Sequence, residues 1–132
     1  MWVGHWAAER RESRARHEAA QRNLDVAALR CLARAKKIQA ADAAVISESY
    51  ADAERDRENE IRLLGPDLDA YVVAIAGVED TTIRARHWRN YENAAQILIG
   101  GRTEELAALI EALEEIRTEV AGAASTGAQR VR

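Results

Sequence analysis

The sequence predicts an all-α protein, built as a long helix or helical hairpin with shorter helices packed back on it. Between Gly4 and Gly65 there is neither glycine nor proline, and the segment is rich in alanine, arginine, glutamate and leucine, which favour the helix. Downstream, the single proline, Pro66, and several glycines divide the remainder into shorter stretches. Apolar residues recur three and four positions apart in both halves, as on the buried face of an amphipathic helix.

The first element is a helical segment over residues 5–64. As one unbroken helix it would be about 90 Å long, whereas a compact chain of this size is roughly 35 Å across. The segment must therefore bend or project from the rest of the protein. Asn23 and either Ser47 or Ser49 have side chains suited to capping a new helix, so these are the positions at which a break is expected.

Gly65 and Pro66 predict the end of this segment and a reversal of the chain. Glycine commonly terminates a helix, and proline is favoured in the first turn of the next one. We then predict helices over 67–76, 81–99 and 103–121, followed by a flexible tail over 122–132. A buried strand is the alternative for the first of these, because it contains three β-branched residues.

Capping residues support the last two helices. Asp80 or Thr81 is expected to cap the helix that ends before Gly100 and Gly101, and Thr103 is expected to cap the final helix. The chain as a whole is predicted to form one helical domain over residues 1–121, since its length is that of an ordinary single domain.

Two apolar stripes are expected to form the core or an oligomer seam. In the first half a stripe repeats every seven positions, through Leu24, Cys31, Ile38 and Val45. In the last helix the spacing of three and four is typical of a coiled coil, and its residues are Leu106, Leu109, Leu113, Ile116 and Val120. The long first segment extends beyond what the short helices after it can cover, so we predict homo-oligomerisation or a larger protein assembly.

Charge is small overall but unevenly distributed. The net charge is −3. Residues 9–37 carry nine Lys/Arg against four Asp/Glu, residues 42–69 carry three against nine, and residues 103–121 carry one against six. Opposite blocks favour the alignment of neighbouring helices, although an exposed ion pair contributes less than about 1 kcal/mol.

Cysteine content and hydropathy indicate a cytoplasmic, soluble protein with no membrane partner. Cys31 is the single cysteine, so an intramolecular disulfide is excluded. The N-terminus lacks the apolar stretch of a signal peptide. The longest uncharged apolar run, residues 70–78, is much shorter than the roughly 20 residues needed to cross a bilayer.

Residue spacing predicts no enzyme, no metal site and no cofactor. The histidines, His5, His17 and His87, are never three or four positions apart, which is the spacing that helical metal ligands require. Cys31 lies on the apolar stripe, where a buried thiol is expected rather than a nucleophile. Carboxylate pairs such as Asp52 and Asp56 lie in charged blocks typical of a solvated helix face.

Residues 68–91 resemble a helix-turn-helix motif. Gly77 is followed by Val78 and, five positions later, by Ile83, which match the turn glycine and the apolar anchors of that motif. This resemblance implies a DNA-binding face, whose candidate residues are Thr81, Thr82, Arg84, Arg86 and Arg89. The competing interpretation is a packing corner with buried aromatic residues, because Trp88, Tyr91, Ala95 and Leu98 fall three and four positions apart.

The N-terminus combines apolar anchors with arginine. Trp2, Val3 and Trp6 precede a polar stretch and are candidates for docking to a partner, since a tryptophan buries a large area in one pocket. Taken together, the sequence predicts a non-enzymatic helical oligomerisation, assembly or adaptor protein, such as a structural subunit of a larger bacterial or phage complex. The alternative is a helix-turn-helix DNA-binding protein that uses residues 68–91.

Overall fold

Four helices account for nearly all of the described residues. The computed structural model describes residues 2–48 and 51–131, and of residues 2, 3, 48 and 126–131 it describes only the backbone. Within these ranges the elements are α1 (Trp2–Glu48), α2 (Ala51–Ala76), α3 (Thr81–Gly100) and α4 (Leu106–Val131). The predicted all-α fold, with one long helix and shorter helices packed on it, is confirmed. A strand over 67–76 is wrong, because these residues lie in α2.

The helices form an up-down-up-down bundle. Helix α1 packs on α2 and α4, and α3 packs on the same two helices from the opposite corner. Neighbours run antiparallel: Arg57, near the start of α2, donates a hydrogen bond to the carbonyl of Gly101, just after α3. Since α1 has 47 residues, it is about 70 Å long and extends past the three shorter helices.

The α1–α2 hairpin is fixed by packing and by one arginine. Ala28 and Ala35 are fully buried on α1, and their small side chains let the two helix backbones approach closely. Arg34 of α1 donates to Glu60 at 2.7 Å and to Asp67 at 3.1 Å, two carboxylates two turns apart on α2. Its guanidinium therefore holds the register of the hairpin at two points.

The predicted reversal at Gly65 and Pro66 is wrong. Helix α2 runs through both residues, and the first reversal of the chain separates α1 from α2 instead. Of the expected break sites, Asn23 lies within α1. The break expected at Ser47 or Ser49 coincides with the end of α1 at Glu48 and the start of α2 at Ala51, and Ser49 itself lies outside the described residues.

Packing explains why α2 continues through Gly65 and Pro66. The buried residues of α2 keep three-four spacing before and after these two positions, through Ile61, Leu64, Leu68, Tyr71 and Ile75. Only a continuous helix presents all five to the core. A proline inside a helix costs about 3 kcal/mol, and burial of this face offsets that cost.

Local capping was predicted well for α3 and less well for α4. The Oδ1 atom of Asp80 accepts from the backbone N–H groups of Thr82 and Ile83, and Gly101 closes the helix in the left-handed conformation, with φ 60°. Thr103 does not cap α4, which begins at Leu106. Its hydroxyl instead donates to Asp42 of α1. The predicted end of the last helix at residue 121 is wrong, since α4 continues through the segment predicted as a flexible tail to Val131; Arg132 lies outside the described residues.

The two predicted seams meet in a single core within the chain. Leu24, Cys31 and Ile38 of α1 are buried, as are Leu106, Leu109, Leu113 and Ile116 of α4, while Val45 and Val120 are partly buried. The long stripe of α1 is thus covered by α2 and α4, so it is not a free surface for oligomerisation. No helix in the described ranges has the length and apolar character needed to cross a bilayer.

A substitution at Pro66 tests the continuous α2. Pro66→Ala restores a backbone donor inside the helix, so we expect the free energy of unfolding to rise by about 1–2 kcal/mol, after allowance for the greater freedom of the unfolded chain. Urea unfolding monitored by circular dichroism measures the change. A loss of stability would instead indicate that Pro66 begins a new helix after a reversal.

Candidate functional site

Helix α3 buries a polar face and exposes an aromatic one. Its buried residues are His87, Asn90, Ala94 and Ile97. The predicted buried face, through Trp88, Tyr91, Ala95 and Leu98, is offset by one residue from the fully buried one: Tyr91, Ala95 and Leu98 are partly buried and pack against the core, whereas Trp88 does not. The side chain of Trp88 consequently remains 44% exposed, and the prediction that it belongs to the core is wrong.

A hydrogen bond to α2 accompanies this rotation. The Tyr71 hydroxyl lies 2.6 Å from Nδ1 of His87, and the two rings meet edge to face with centroids 5.7 Å apart. Both residues are buried. A buried polar group is costly unless it is paired, so the His87 side chain is tolerated in the core because Tyr71 supplies its partner.

Burial sets the protonation states of this pair. It lowers the pKa of His87, and the positive charge of Arg86 lowers it further. Burial also raises the pKa of Tyr71 well above its usual value. The histidine is therefore neutral and the tyrosine protonated near neutral pH, so one hydrogen is shared between the Tyr71 hydroxyl and Nδ1 of His87, in the direction that the His87 tautomer sets.

Asn90 completes the polar face of α3. It is buried one turn beyond His87, and its Nδ2 atom makes no hydrogen bond of normal geometry to the described residues. It nevertheless lies close enough to the Tyr71 hydroxyl to oppose part of the rise in the pKa of that group. A buried amide without a well-formed hydrogen bond costs free energy. Helix α3 thus places two polar side chains inside the bundle and leaves a tryptophan outside it.

The exposed side of α3 joins α2 in an apolar patch, which we call the Trp88 surface. It consists of the exposed Val73, Ala76, Ala85 and Trp88 with the partly buried Val72, Tyr91 and Ala95, of which Tyr91 and Ala95 also pack against the core. Trp88 stacks on Tyr91 with ring centroids 5.1 Å apart. Val73 is 71% exposed. A shallow cavity of about 270 Å³ lies between the two helices beside Trp88 and is lined by Val72, Ile75, Ala76, Arg84, Ala85 and Trp88.

The N-terminal docking candidates lie on the part of α1 that extends past the bundle. Trp6 is 57% exposed, and the Arg10 guanidinium lies 4.3 Å from the centre of its ring. The side chains of Trp2 and Val3 lie outside the described part of the structure. Where α1 passes the α2–α3 turn, His17 contacts Glu79 at 3.0 Å.

The candidate DNA-binding residues do not form a helix-turn-helix. Helices α2 and α3 lie side by side and antiparallel, whereas the motif joins two helices that cross at about 90–120°. Thr81, Thr82, Arg84 and Arg89 are exposed on α3. Arg86, however, points to α4 and forms a bidentate ion pair with Glu119, at 2.6 and 2.9 Å.

The remaining chemistry-bearing residues are dispersed. Across the described ranges, histidine, cysteine and carboxylate side chains form no group of three or more that could hold a metal ion. The Cys31 thiol is buried in the core, which raises its pKa to about 12. It therefore remains protonated near neutral pH, as expected for a core thiol.

Sequence reasoning missed the Trp88 surface because the spacing of α3 permits two buried faces. Residues 88, 91, 95 and 98 keep the same three-four spacing as residues 87, 90, 94 and 97, and the first set is the more apolar. One feature that distinguishes them is the pairing of His87 with Tyr71 on another helix, which only the tertiary structure shows.

The buried histidine predicts a pH-dependent stability. Since the pKa of His87 is lowered on folding from about 6.5, the unfolded chain binds the proton more readily than the folded one. The free energy of unfolding should therefore decrease as the pH falls from about 7 to about 5. Urea unfolding at both pH values, compared with His87→Gln, tests this. The variant should lose less stability on acidification; an equal loss in both proteins would contradict the prediction.

Comparison of the chain with protein-family models, with curated proteins and with solved structures found no match. The function is therefore inferred from the residues of this chain and their contacts.

Proposed function

We propose that this chain is a non-enzymatic assembly or adaptor component that binds another protein chain through the Trp88 surface. The single observation that carries the proposal is the orientation of α3, which keeps His87 and Asn90 inside the bundle and Trp88 outside it. A tryptophan is the residue with the largest area to bury, and burying a large apolar side chain contributes about 1.5–3 kcal/mol. In the isolated chain the side chain of Trp88 remains partly in water, so this free energy is only partly gained. A partner that covers Trp88 gains the remainder.

The composition of the surface supports a protein partner. Tryptophan, tyrosine and arginine are the side chains enriched at the energetic centres of protein interfaces. Trp88 and Tyr91 lie stacked together on this surface, and Arg84 and Arg89 beside them are exposed. An aromatic centre with a charged rim is the usual arrangement of an interface.

The projecting part of α1 supports an assembly role independently. Residues 4–18 are exposed, apart from the partly buried Ala7 and Ser13. An extended helix with an exposed tryptophan, Trp6, offers a second place for contact, on a different helix from Trp88. Two separate contact regions suit a structural subunit of a larger complex, such as one of bacterial or phage origin.

Molar mass in solution tests the proposal. The wild-type chain has a mass of 14.6 kDa, and we expect light scattering to give a larger mass that rises with protein concentration. Trp88→Glu should raise the dissociation constant for association about tenfold or more, because it removes an aromatic anchor and buries a charge.

Leu63→Glu is the matched control for that variant. Leu63 is 45% exposed, almost the same fraction as Trp88, and lies on α2 outside the Trp88 surface. Its substitution should leave the association unchanged. A wild-type chain that remains monomeric at every concentration would contradict the assembly proposal, and equal weakening by both variants would contradict the use of the Trp88 surface.

A titration with duplex DNA at low and high salt separates this proposal from the DNA-binding alternative. Binding through phosphates weakens steeply as salt increases. We expect no binding even at low salt, since α2 and α3 lie side by side and Arg86 is already paired with Glu119. Salt-sensitive binding that Arg84→Ala and Arg89→Ala weaken would favour the alternative.

A further inference from the structure

We propose that the Trp88 surface is covered by the same surface of a second copy of this chain, in an antiparallel two-fold dimer centred on Trp88. This inference rests on the proposed function and names its partner. The contact would be made by α3 of each copy, with α2 along one flank.

The spacing of three exposed residues on α3 carries the inference. Arg84, Trp88 and Glu92 follow one another at four-residue intervals, so they form one stripe along the helix, with about 6 Å between successive positions. All three are exposed. The positive and the negative residue thus lie at equal distances on either side of the tryptophan.

This arrangement is self-complementary when the helix is reversed. In a two-fold contact, any pair formed between residue i of one copy and residue j of the other is formed a second time between residue j of the first and residue i of the second, and only a residue on the axis meets its own counterpart. With the axis at Trp88, Arg84 of one copy lies opposite Glu92 of the other, and the pair is formed twice. A parallel pairing would instead bring like charges together, which is unfavourable.

The charges of the stripe are free to form these pairs. In the part of the chain that the structure describes, ion pairs connect Arg34, Arg57 and Arg86 to carboxylates on other helices. Neither Arg84 nor Glu92 takes part in an ion pair within that part. Both charges are therefore available to a partner at no cost to the fold.

The neighbours of the stripe permit close approach of two helices. Ala85 and Ala95 flank the stripe on α3. Arg84 and Glu92 are the only charged residues of the stripe, so no like charges meet within it when the second helix is reversed about Trp88. Val72 and Val73 of α2 extend the apolar area beside it. Helix α3 packs on α2 and α4, which leaves this outer side open.

Reciprocal charge exchange tests the dimer. Arg84→Glu gives a stripe with two acidic residues, and Glu92→Arg gives one with two basic residues. Each variant alone should show a dissociation constant raised about tenfold or more, since like charges then meet twice. An equimolar mixture of the two should associate as tightly as the wild type, because the two glutamates of one variant then face the two arginines of the other. The double variant should also dimerise normally.

Arg30→Glu is the matched control. Arg30 is an exposed arginine on α1, the helix at the opposite corner of the bundle from α3, so its substitution should leave the dissociation constant unchanged. Circular dichroism of each variant, with the helical content and unfolding midpoint of the wild type, shows that the fold is retained. The dissociation constants are measured by sedimentation equilibrium, and the mixture by the same method with one variant fluorescently labelled.

Different outcomes separate this inference from the proposed function. A wild-type oligomer that neither single variant weakens, or weakened variants whose mixture does not recover, would overturn the antiparallel dimer while leaving assembly through another contact in place. A monomeric wild type would overturn both. Weakening by each single variant with recovery in the mixture supports both.

Discussion

The structure depends on one geometric constraint: a 47-residue helix with a narrow apolar stripe must be covered by the rest of the same chain. Helices α2 and α4 lie along α1 and bury that stripe, with Leu24 and Ile38 fully enclosed. Arg34, bound to both Glu60 and Asp67, fixes the register of the first hairpin. Lys36 forms an ion pair with Glu114 on the other side. Once these contacts are made, the position left for α3 is the corner opposite α1.

That corner explains the unusual orientation of α3. Helix α3 reaches the core through α2 and α4, so its buried face is chosen by what those helices present. The Tyr71 hydroxyl of α2 forms a hydrogen bond with His87, and the Glu119 carboxylate of α4 forms an ion pair with Arg86. Both contacts are made in the orientation of α3 that leaves Trp88 outside. The exposed aromatic surface therefore follows from polar contacts on the far side of the same helix.

Much of the fold could be predicted from the sequence, because local chemistry determined it. Helical composition, the Asp80 cap, the Gly101 terminus and the apolar stripes of α1 and α4 all depend on residues close to one another. The path of the chain through Gly65 and Pro66 could not be predicted from turn propensity, since long-range packing of α2 overrides a local preference of about 3 kcal/mol. The three-four spacing that continues from Ile61 to Ile75 is the sequence pattern that would have indicated a continuous helix.

The candidate surface was harder to predict, because two faces of α3 share the same spacing and composition favours the wrong one. The central claim is that Trp88 lies outside the folded chain and becomes covered on association. Acrylamide quenching of fluorescence in a chain whose other tryptophans, Trp2 and Trp6, are replaced by phenylalanine measures this directly. Trp88 should be quenched readily in dilute solution and become protected as the protein concentration increases. Protection at every concentration would place Trp88 in the core, and ready quenching at every concentration would show that no partner copy covers it.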